Sequence, residues 1–207
     1  MDPMHIPDGT MADAIIAELR AELAALRREN RLLRISNQEL ERVAVRDTLT
    51  PLHNRRYFLT ALHERIARSK RYGGTAAVLF LDINRMKQIN DQFGHSAGDF
   101  ALMHAAQLVQ SHIRETDVAA RLGGDEFAII LEGVDEERAG AKASQLDTLL
   151  RETQCLYGSV ELPMSASIGW TMILPHDTED ALIERADADM YARKRASYEG
   201  DAEGRAA

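Results

Sequence analysis

The sequence predicts an α+β domain that follows an N-terminal coiled-coil helix, and three observations carry this prediction. Residues 16–44 place apolar side chains at the heptad spacing of a coiled coil. Residues 76–83, AAVLFLDI, are almost continuously apolar, as in a buried central strand. Two further strand-like runs meet at Gly123 and Gly124, which predicts a hairpin between stretches of helical pattern.

The composition restricts the functions that the chain can have. Its 207 residues, 45% hydrophobic and 28% charged, suit one domain with an appended element. No apolar run approaches the roughly 20 residues of a membrane span, and the first residues do not resemble a secretory signal, so we expect no membrane contact and a cytoplasmic location. The single cysteine, Cys155, excludes an internal disulfide. A net charge of -8 argues against a nucleic-acid partner, so any phosphate must bind at a local site.

The N-terminal segment divides into a disordered lead over residues 1–10 and a coiled-coil dimerisation helix over residues 11–46. Position a holds Ile16, Leu23, Asn30, Asn37 and Ala44, and position d holds Leu19, Leu26, Leu33 and Leu40. Opposite charges at the flanking g and e positions fit a parallel, in-register homodimer: Glu22, Glu29, Arg27 and Arg34. The alternative is a single amphipathic helix that packs on its own domain.

The globular domain is predicted over residues 47–200, with a disordered tail over residues 201–207. Turn and cap residues end the heptad at Thr48, Pro51 and Asn54. Beyond the central strand and the hairpin, the pattern predicts helices over 55–72, 98–113, 135–153 and 178–196, and one strand within 160–173.

Three carboxylates fall where the predicted strands end. Asp82 closes the first strand, and Asp125 and Glu126 lie at the hairpin tip. If these strands are neighbours, the acids come together as oxygen ligands for a divalent cation, which typically uses one or two carboxylates plus substrate phosphates. Glycines beside them allow a nucleotide to approach the backbone. Taken alone, acids at a turn tip are usually only solvated.

The polar segment between the central strand and the next helix reads as loop-rich. Its Asp99 carboxylate and Asn90 amide are the groups that recognise a guanine edge, since a carboxylate accepts from N1–H and the exocyclic amine while an amide both donates and accepts. Lys87 supplies a positive charge for phosphate. We interpret His95 as a buried structural histidine.

Several stretches in this order and spacing resemble the GGDEF family of diguanylate cyclases, and the resemblance covers residues 46–194. They are DTLTPLHNRRYF, LDINRMKQINDQFGHSAGDFAL, RLGGDEFAII, ASIGW and RADADMYARK. The resemblance implies a palm-like nucleotidyl-cyclase fold, with a central mainly antiparallel sheet flanked by helices. It also implies the condensation of two GTP into cyclic di-GMP and two pyrophosphates.

The resemblance carries roles over to individual positions. Asp82, Asp125 and the carbonyl of Ile83 match the positions that hold Mg²⁺ or Mn²⁺, and Glu126 matches a further ligand or a group that assists deprotonation of the 3′-hydroxyl. The substrate positions are Gly123 and Gly124 at the phosphates and ribose, Asn90 and Asp99 at the guanine, and Lys87 and Lys194 at the triphosphate. The stretch RETD, with Arg114 and Asp117, matches an inhibitory site that binds cyclic di-GMP.

The sequence departs from the family pattern at three positions. Asn84 stands where a second Asp is common, Tyr198 where a phosphate-binding Arg is usual, and Pro51 where Gly is frequent. We expect Asn84 to lie behind the metal ligands rather than among them. Two alternatives stay open: a catalytically inactive module that senses cyclic di-GMP or GTP, and a structural role in which the coil mediates assembly.

Overall fold

The computed structural model describes the backbone of residues 9–190 and the side chains of residues 15–34 and 44–190. Contacts divide the chain into an N-terminal unit that ends at Ala44 and a domain that begins at Val45. Helix α1 (Gly9–Val45) confirms the predicted N-terminal helix. Its d-position side chains Leu19, Leu26 and Leu33 are 55–61% exposed. Pairing of this helix with a second copy stays a prediction.

The domain is built on a five-stranded sheet of order β1-β3-β4-β2-β7, with a separate hairpin of β5 and β6. The strands are β1 (His53–Asn54), β2 (Ala76–Ile83), β3 (Val118–Gly123), β4 (Glu126–Glu132), β5 (Cys155–Tyr157), β6 (Val160–Leu162) and β7 (Ala166–Met172). The two-residue β1 runs parallel to β3, and the other pairs are antiparallel. The predicted α+β class with a mainly antiparallel sheet is therefore confirmed.

Helices cover both faces of this sheet. They are α2 (Arg55–Tyr72), α3 (Met86–Phe93), α4 (His95–Ser111), α5 (Glu136–Glu152) and helical residues 179–190, here α6. Alternate residues of β2 enter two cores, because successive strand side chains point to opposite faces. Leu79 and Leu81 pack in the core that includes residues of α4 and α5, whereas Val78 and Phe80 pack with residues of α2 and α6.

The segment predicted as loop-rich is mostly helical, which corrects the sequence interpretation. Helix α3 buries only Met86 and Ile89, so its apolar pattern is too short to stand out among the polar residues. Gly94, at φ 87°, is the single non-helical residue between α3 and α4. Helix α4 begins at His95, whereas the predicted start was Gly98. His95 is exposed, so its interpretation as a buried histidine was wrong.

The strand predicted within residues 160–173 is also two strands. Pro163 lies between β6 and β7, and proline cannot donate a hydrogen bond to a strand ladder. Strand β6 pairs with β5 in its own hairpin, whereas β7 joins the main sheet beside β2. The predicted tail, Lys194 and Tyr198 lie outside the described residues, as does most of the predicted lead.

Candidate functional site

The acids predicted at the strand ends lie on neighbouring strands. In the antiparallel ladder of β2 and β4, Asp82 is directly opposite Glu126. The Ile83 N–H donates to the carbonyl oxygen of Asp125 over 3.0 Å, which extends the pairing into the hairpin turn. Since directly opposed residues point to the same face of a sheet, the side chains of Asp82 and Glu126 share a face.

The turn between β3 and β4 depends on its two glycines. Gly123 has φ 150° and Gly124 φ 52°, and the strand register shifts between Arg121 and Gly123. A Cβ added to either glycine would meet no atom within 4 Å. The backbone conformation, and not a packed neighbour, therefore favours glycine at Gly124, and open space remains beside the turn.

Arg121 holds this turn in a way that the sequence did not reveal. Its Nε and Nη2 donate to the carbonyl oxygen of Gly124 over 3.0 and 2.8 Å, and Nη1 contacts the Asp47 carboxylate at 3.3 Å. Asp47 also accepts hydrogen bonds from the backbone and hydroxyl of Thr50. Burial alone would raise the pKa of Asp47, but the Thr50 hydrogen bonds and Arg121 lower it below its ordinary value.

The donor set fits a divalent cation that is bound together with phosphate. Asp82 is half-buried and Glu126 exposed, and the main-chain carbonyl of Ile83 follows Asp82 directly. Among the side chains that the structure describes, no three from Asp, Glu, His or Cys are close enough to hold a metal ion on their own. Hard cations such as Mg²⁺ keep water or substrate oxygens among their ligands, so a preformed cage is not required.

A cavity of about 210 Å³ borders Glu126 on the α2 face of the sheet. Its polar lining includes Arg55 and Asp187 as well as Glu126, and its apolar lining includes Phe58 and Phe80. Desolvation raises the pKa of Asp187 above its ordinary value. Sequence reasoning missed Arg55 and Asp187. For Arg55, the only indication in the sequence was its position directly after Asn54, the residue that caps α2.

The predicted guanine and phosphate residues lie on α3 and α4. Lys87 and Asp99 are exposed, whereas Asn90 is half-buried. The side chain of Asn90 lies close to the first turn of α4, because Gly94 is the single residue between the two helices. A Cβ on Gly98 would lie 2.0 Å from Asn90 Oδ1. The structure therefore places the Asn90 amide beside the residue that precedes Asp99.

Asn84 is held by Ser165, which directly precedes β7, and by Ser167 within β7. Its Nδ2 donates to the Ser165 hydroxyl over 3.2 Å, and its Oδ1 accepts from the Ser167 hydroxyl over 2.9 Å. Its backbone N–H donates to the Ser165 carbonyl over 2.9 Å. Both ends of the amide are thus engaged in tying the end of β2 to its neighbour.

The RETD stretch forms a turn ahead of β3. Asp117 accepts from the backbone N–H of Arg114 over 2.9 Å and from that of Glu132 over 3.0 Å. The Arg114 side chain is exposed. A cavity of about 420 Å³ is lined by Arg114 and Asp117 together with two further cationic residues, Arg138 and Lys142. This charge distribution suits an anionic ligand.

The topology and the strand register define an α+β domain with acids at the ends of two neighbouring strands, and comparison with known proteins names its family. The sequence model of the family described as "Diguanylate cyclase, GGDEF domain" matches residues 44–199. The chain belongs to the GGDEF domain family. No helix within residues 9–190 is long and apolar enough to span a membrane.

Curated relatives and solved structures agree with this assignment. Diguanylate cyclase TpbB of Pseudomonas aeruginosa is 36% identical over 188 residues, which is 88% of this chain and 41% of that protein. Diguanylate cyclase DosC of Escherichia coli K12 is 35% identical over 166 residues, 79% of this chain and 36% of that protein. This chain therefore spans only about two fifths of the length of either relative.

Among solved structures, the coiled coil and GGDEF domain of DgcB from Caulobacter crescentus, in complex with c-di-GMP, matches with a TM-score of 0.81 and 29% identity. The match covers 86% of this chain and 95% of that one. Diguanylate cyclase SiaD of Pseudomonas aeruginosa, in complex with its activator SiaC, matches with a TM-score of 0.72 and 32% identity. This match covers 90% of this chain and 73% of that one.

Proposed function

We propose that the protein condenses two GTP molecules into cyclic di-GMP and two pyrophosphates. One observation carries the proposal: Asp82 lies opposite Glu126, beside an open turn formed by two glycines. Acids on adjacent strands next to exposed backbone suit a triphosphate and its metal ion. The relatives named diguanylate cyclases, and the c-di-GMP bound to the similar DgcB structure, support the same conclusion.

In this mechanism Asp82, Asp125, Glu126 and the Ile83 carbonyl would hold Mg²⁺ or Mn²⁺. The bound ion would neutralise charge on the α-phosphoryl oxygens and lower the pKa of the attacking 3′-hydroxyl. Glu126, which is exposed, would also accept the proton of that hydroxyl. The backbone at Gly123 and Gly124 would lie against the phosphates and ribose, with Arg121 holding the turn in shape.

The remaining residues would bind and orient the substrate. Asn90 and Asp99 would read the guanine edge, which needs both donors and acceptors. Lys87 and Lys194 would contact the triphosphate as point charges. The protein thus acts mainly by positioning the reacting groups and neutralising charge.

The reaction joins two GTP molecules, so two domains must face each other across a homodimer. The leucines exposed along α1 would pair with a second copy as a parallel coiled coil. Such a pairing would raise the effective concentration of the catalytic domains to the order of millimolar. The coil therefore contributes to activity by tethering.

Product feedback would act at the turn formed by Arg114 and Asp117. The guanidinium of Arg114 can recognise a guanine edge or a phosphate with paired N–H groups. Arg138 and Lys142 line the same cavity and add positive charge. Cyclic di-GMP carries two phosphates and two guanines, so its chemistry matches this cavity.

One assay tests the catalytic proposal against its alternatives. Purified protein is incubated with GTP and Mg²⁺, the products are separated by chromatography, and cyclic di-GMP is titrated in. Cyclic di-GMP and pyrophosphate in a ratio of one to two support the proposal. Binding of GTP or cyclic di-GMP without turnover would instead identify an inactive sensor module, and no binding of either would favour a structural role.

A coil variant tests the tethering. Leu26→Pro combined with Leu33→Pro breaks the helix at two d positions and should make the rate per protein steeply dependent on protein concentration. The control Arg28→Ala, at an outward heptad position, should keep a constant specific activity on dilution. Constant specific activity in the proline variant would contradict the tethering proposal.

A further inference from the structure

Gly98 is a glycine whose backbone does not require glycine. It lies inside α4 and is buried, and its φ falls outside the positive range in which glycine is favoured. Glycine inside a helix is unfavourable relative to alanine, because it loses more conformational freedom on folding. The reason for Gly98 must therefore be the space that a side chain would take.

The side chain of Asn90 occupies that space. A Cβ on Gly98 would lie 2.0 Å from Asn90 Oδ1, 3.0 Å from Cγ and 3.5 Å from Nδ2. These distances are too short for an alanine unless Asn90 moves. Among the residues whose side chains the structure describes, 15–34 and 44–190, the Asn90 amide has no hydrogen-bond partner. Its rotamer is thus set by packing against Gly98, and its polar atoms stay available to a ligand.

Two other glycines, the half-buried Gly140 and the buried Gly169, show that this contact is of a different kind. A Cβ on Gly140, in α5, would lie 3.2 Å from the edge of the Trp170 ring, which a small ring movement relieves. A Cβ on Gly169, in β7, would meet the backbone of α6 at 2.3 Å. Gly140 and Gly169 allow elements of the core to pack, whereas Gly98 accommodates a polar side chain of the candidate guanine site.

We propose that Gly98 is a positioning residue for base recognition, because it seats the Asn90 amide beside the residue that directly precedes Asp99 in α4. This inference rests on the proposed binding of GTP. A carboxylate and an amide together match the donors and acceptors of guanine only if both are held at fixed positions. Gly98 lies next to Asp99 in sequence and against Asn90 in space, so it determines the relative placement of the two groups.

The test is Gly98→Ala with steady-state kinetics and GTP affinity by calorimetry. The added methyl group forces Asn90 out of its rotamer, so we expect KM for GTP to rise about ten-fold and selectivity for GTP over ATP to fall, with kcat changed by less than about three-fold. The matched control is Gly140→Ala, also in a helix interior but far from Asn90 in sequence, and it should leave both constants unchanged. Unchanged KM and selectivity in Gly98→Ala would overturn the proposal.

A double-variant cycle separates seating of Asn90 from a general effect on α4. Once Asn90→Ala has removed the amide, adding Gly98→Ala should change KM by less than about two-fold. An equal rise in KM in both backgrounds would contradict the proposal. If Gly98→Ala lowers Tm, we expect the double variant with Asn90→Ala to recover the wild-type Tm. A loss of Tm that persists in the double variant would show that the methyl group meets something other than Asn90.

The affinity measurement distinguishes this inference from the proposed function. A wild-type protein that binds GTP without forming cyclic di-GMP would refute the cyclase activity, and the affinity cycle would still decide the role of Gly98. A wild-type protein that does not bind GTP would refute both. A wild-type cyclase whose GTP affinity is indifferent to Gly98→Ala would refute the positioning role alone.

Discussion

The two ends of strand β4 hold carboxylates in opposite situations. At the first end, Asp125 and Glu126 follow the glycine turn, and within the described residues neither side chain accepts a hydrogen bond. At the other end, the Glu132 carboxylate pairs with the buried Arg65 at 3.0 Å. The Glu132 N–H donates to Asp117, which also caps its own turn.

This difference separates acids that stabilise the fold from acids that keep their capacity for a ligand. A buried guanidinium such as Arg65 needs its carboxylate, because an unpaired charge in the interior is costly. The half-buried Asp125 and the exposed Glu126 have no such ion pair within the described residues, and their carboxylates can bind a metal ion or accept a proton. The strand thus connects a structural end to an end that we propose is catalytic.

Glu126→Gln should give the largest change. It removes one charge from a side chain that accepts no hydrogen bond from the described residues, so we expect product formation to fall by about 100-fold or more while Tm stays unchanged. The assay is cyclic di-GMP formation with thermal unfolding in parallel. Glu161→Gln, at an exposed position on β6, is the control and should keep full activity. Cyclisation at the wild-type rate in Glu126→Gln would contradict the catalytic assignment.

Glu132→Gln should show the reverse pattern at the opposite end of β4. Removing the charge leaves Arg65 buried without its ion pair, so we expect the free energy of unfolding to fall by about 2 kcal/mol. Below the unfolding temperature the rate per folded protein should stay close to wild type. Urea unfolding measures the loss, and Arg65→Leu together with Glu132→Leu should recover part of it. Equal stability of Glu132→Gln and wild type would remove the distinction between the two ends.

Arg114 and Asp117 lie at the structural end but differ in their contacts. Asp117 accepts from two backbone N–H groups, whereas the Arg114 side chain is exposed. We expect Arg114→Ala to raise the cyclic di-GMP concentration for half inhibition about ten-fold without a change in Tm. Asp117→Ala should also lower the free energy of unfolding, by about 1–2 kcal/mol, because it leaves backbone donors unsatisfied. Unaltered inhibition in Arg114→Ala would refute the product site.

Local signals made much of this fold predictable. Helix α2 and strand β2 match their predicted ranges, since an asparagine cap, a glycine pair and a continuous apolar run mark their ends. Helix α3 was missed because only two of its eight residues are buried. The short β1 was missed for another reason, because its pairing with β3 joins residues that are far apart in the chain.

The candidate site likewise has features that the sequence predicted and features that it did not. The sequence predicted that the acids lie at strand ends and would come together if those strands were neighbours, and the structure pairs Asp82 with Glu126. Contacts between distant elements were not predictable, since they depend on side-chain geometry that periodicity does not describe. These include the donation from Arg121 to Gly124, the serines that hold Asn84, and the packing of Asn90 on Gly98.

An acid that forms an ion pair with an arginine should also make the free energy of unfolding depend on pH. This is the smallest effect that we expect. The Asp177 carboxylate is buried and pairs with Arg185 at 2.6 Å. Hydrogen bonds from Arg185 lower the pKa of Asp177 below its ordinary value of 3.8, against the opposing effect of burial. A carboxyl group whose pKa is lowered on folding contributes stability above its unfolded pKa, and loses it as the pH falls through the lower folded value.

The variant Asp177→Asn should therefore be less stable than wild type by about 1 kcal/mol at neutral pH, and the difference should shrink as the pH falls below about 4. Urea unfolding at a series of pH values measures it. A difference for Asp177→Asn that stays constant down to pH 2 would mean that the variant acts through packing instead of charge. The contrast between paired and unpaired acids would then lose its electrostatic basis.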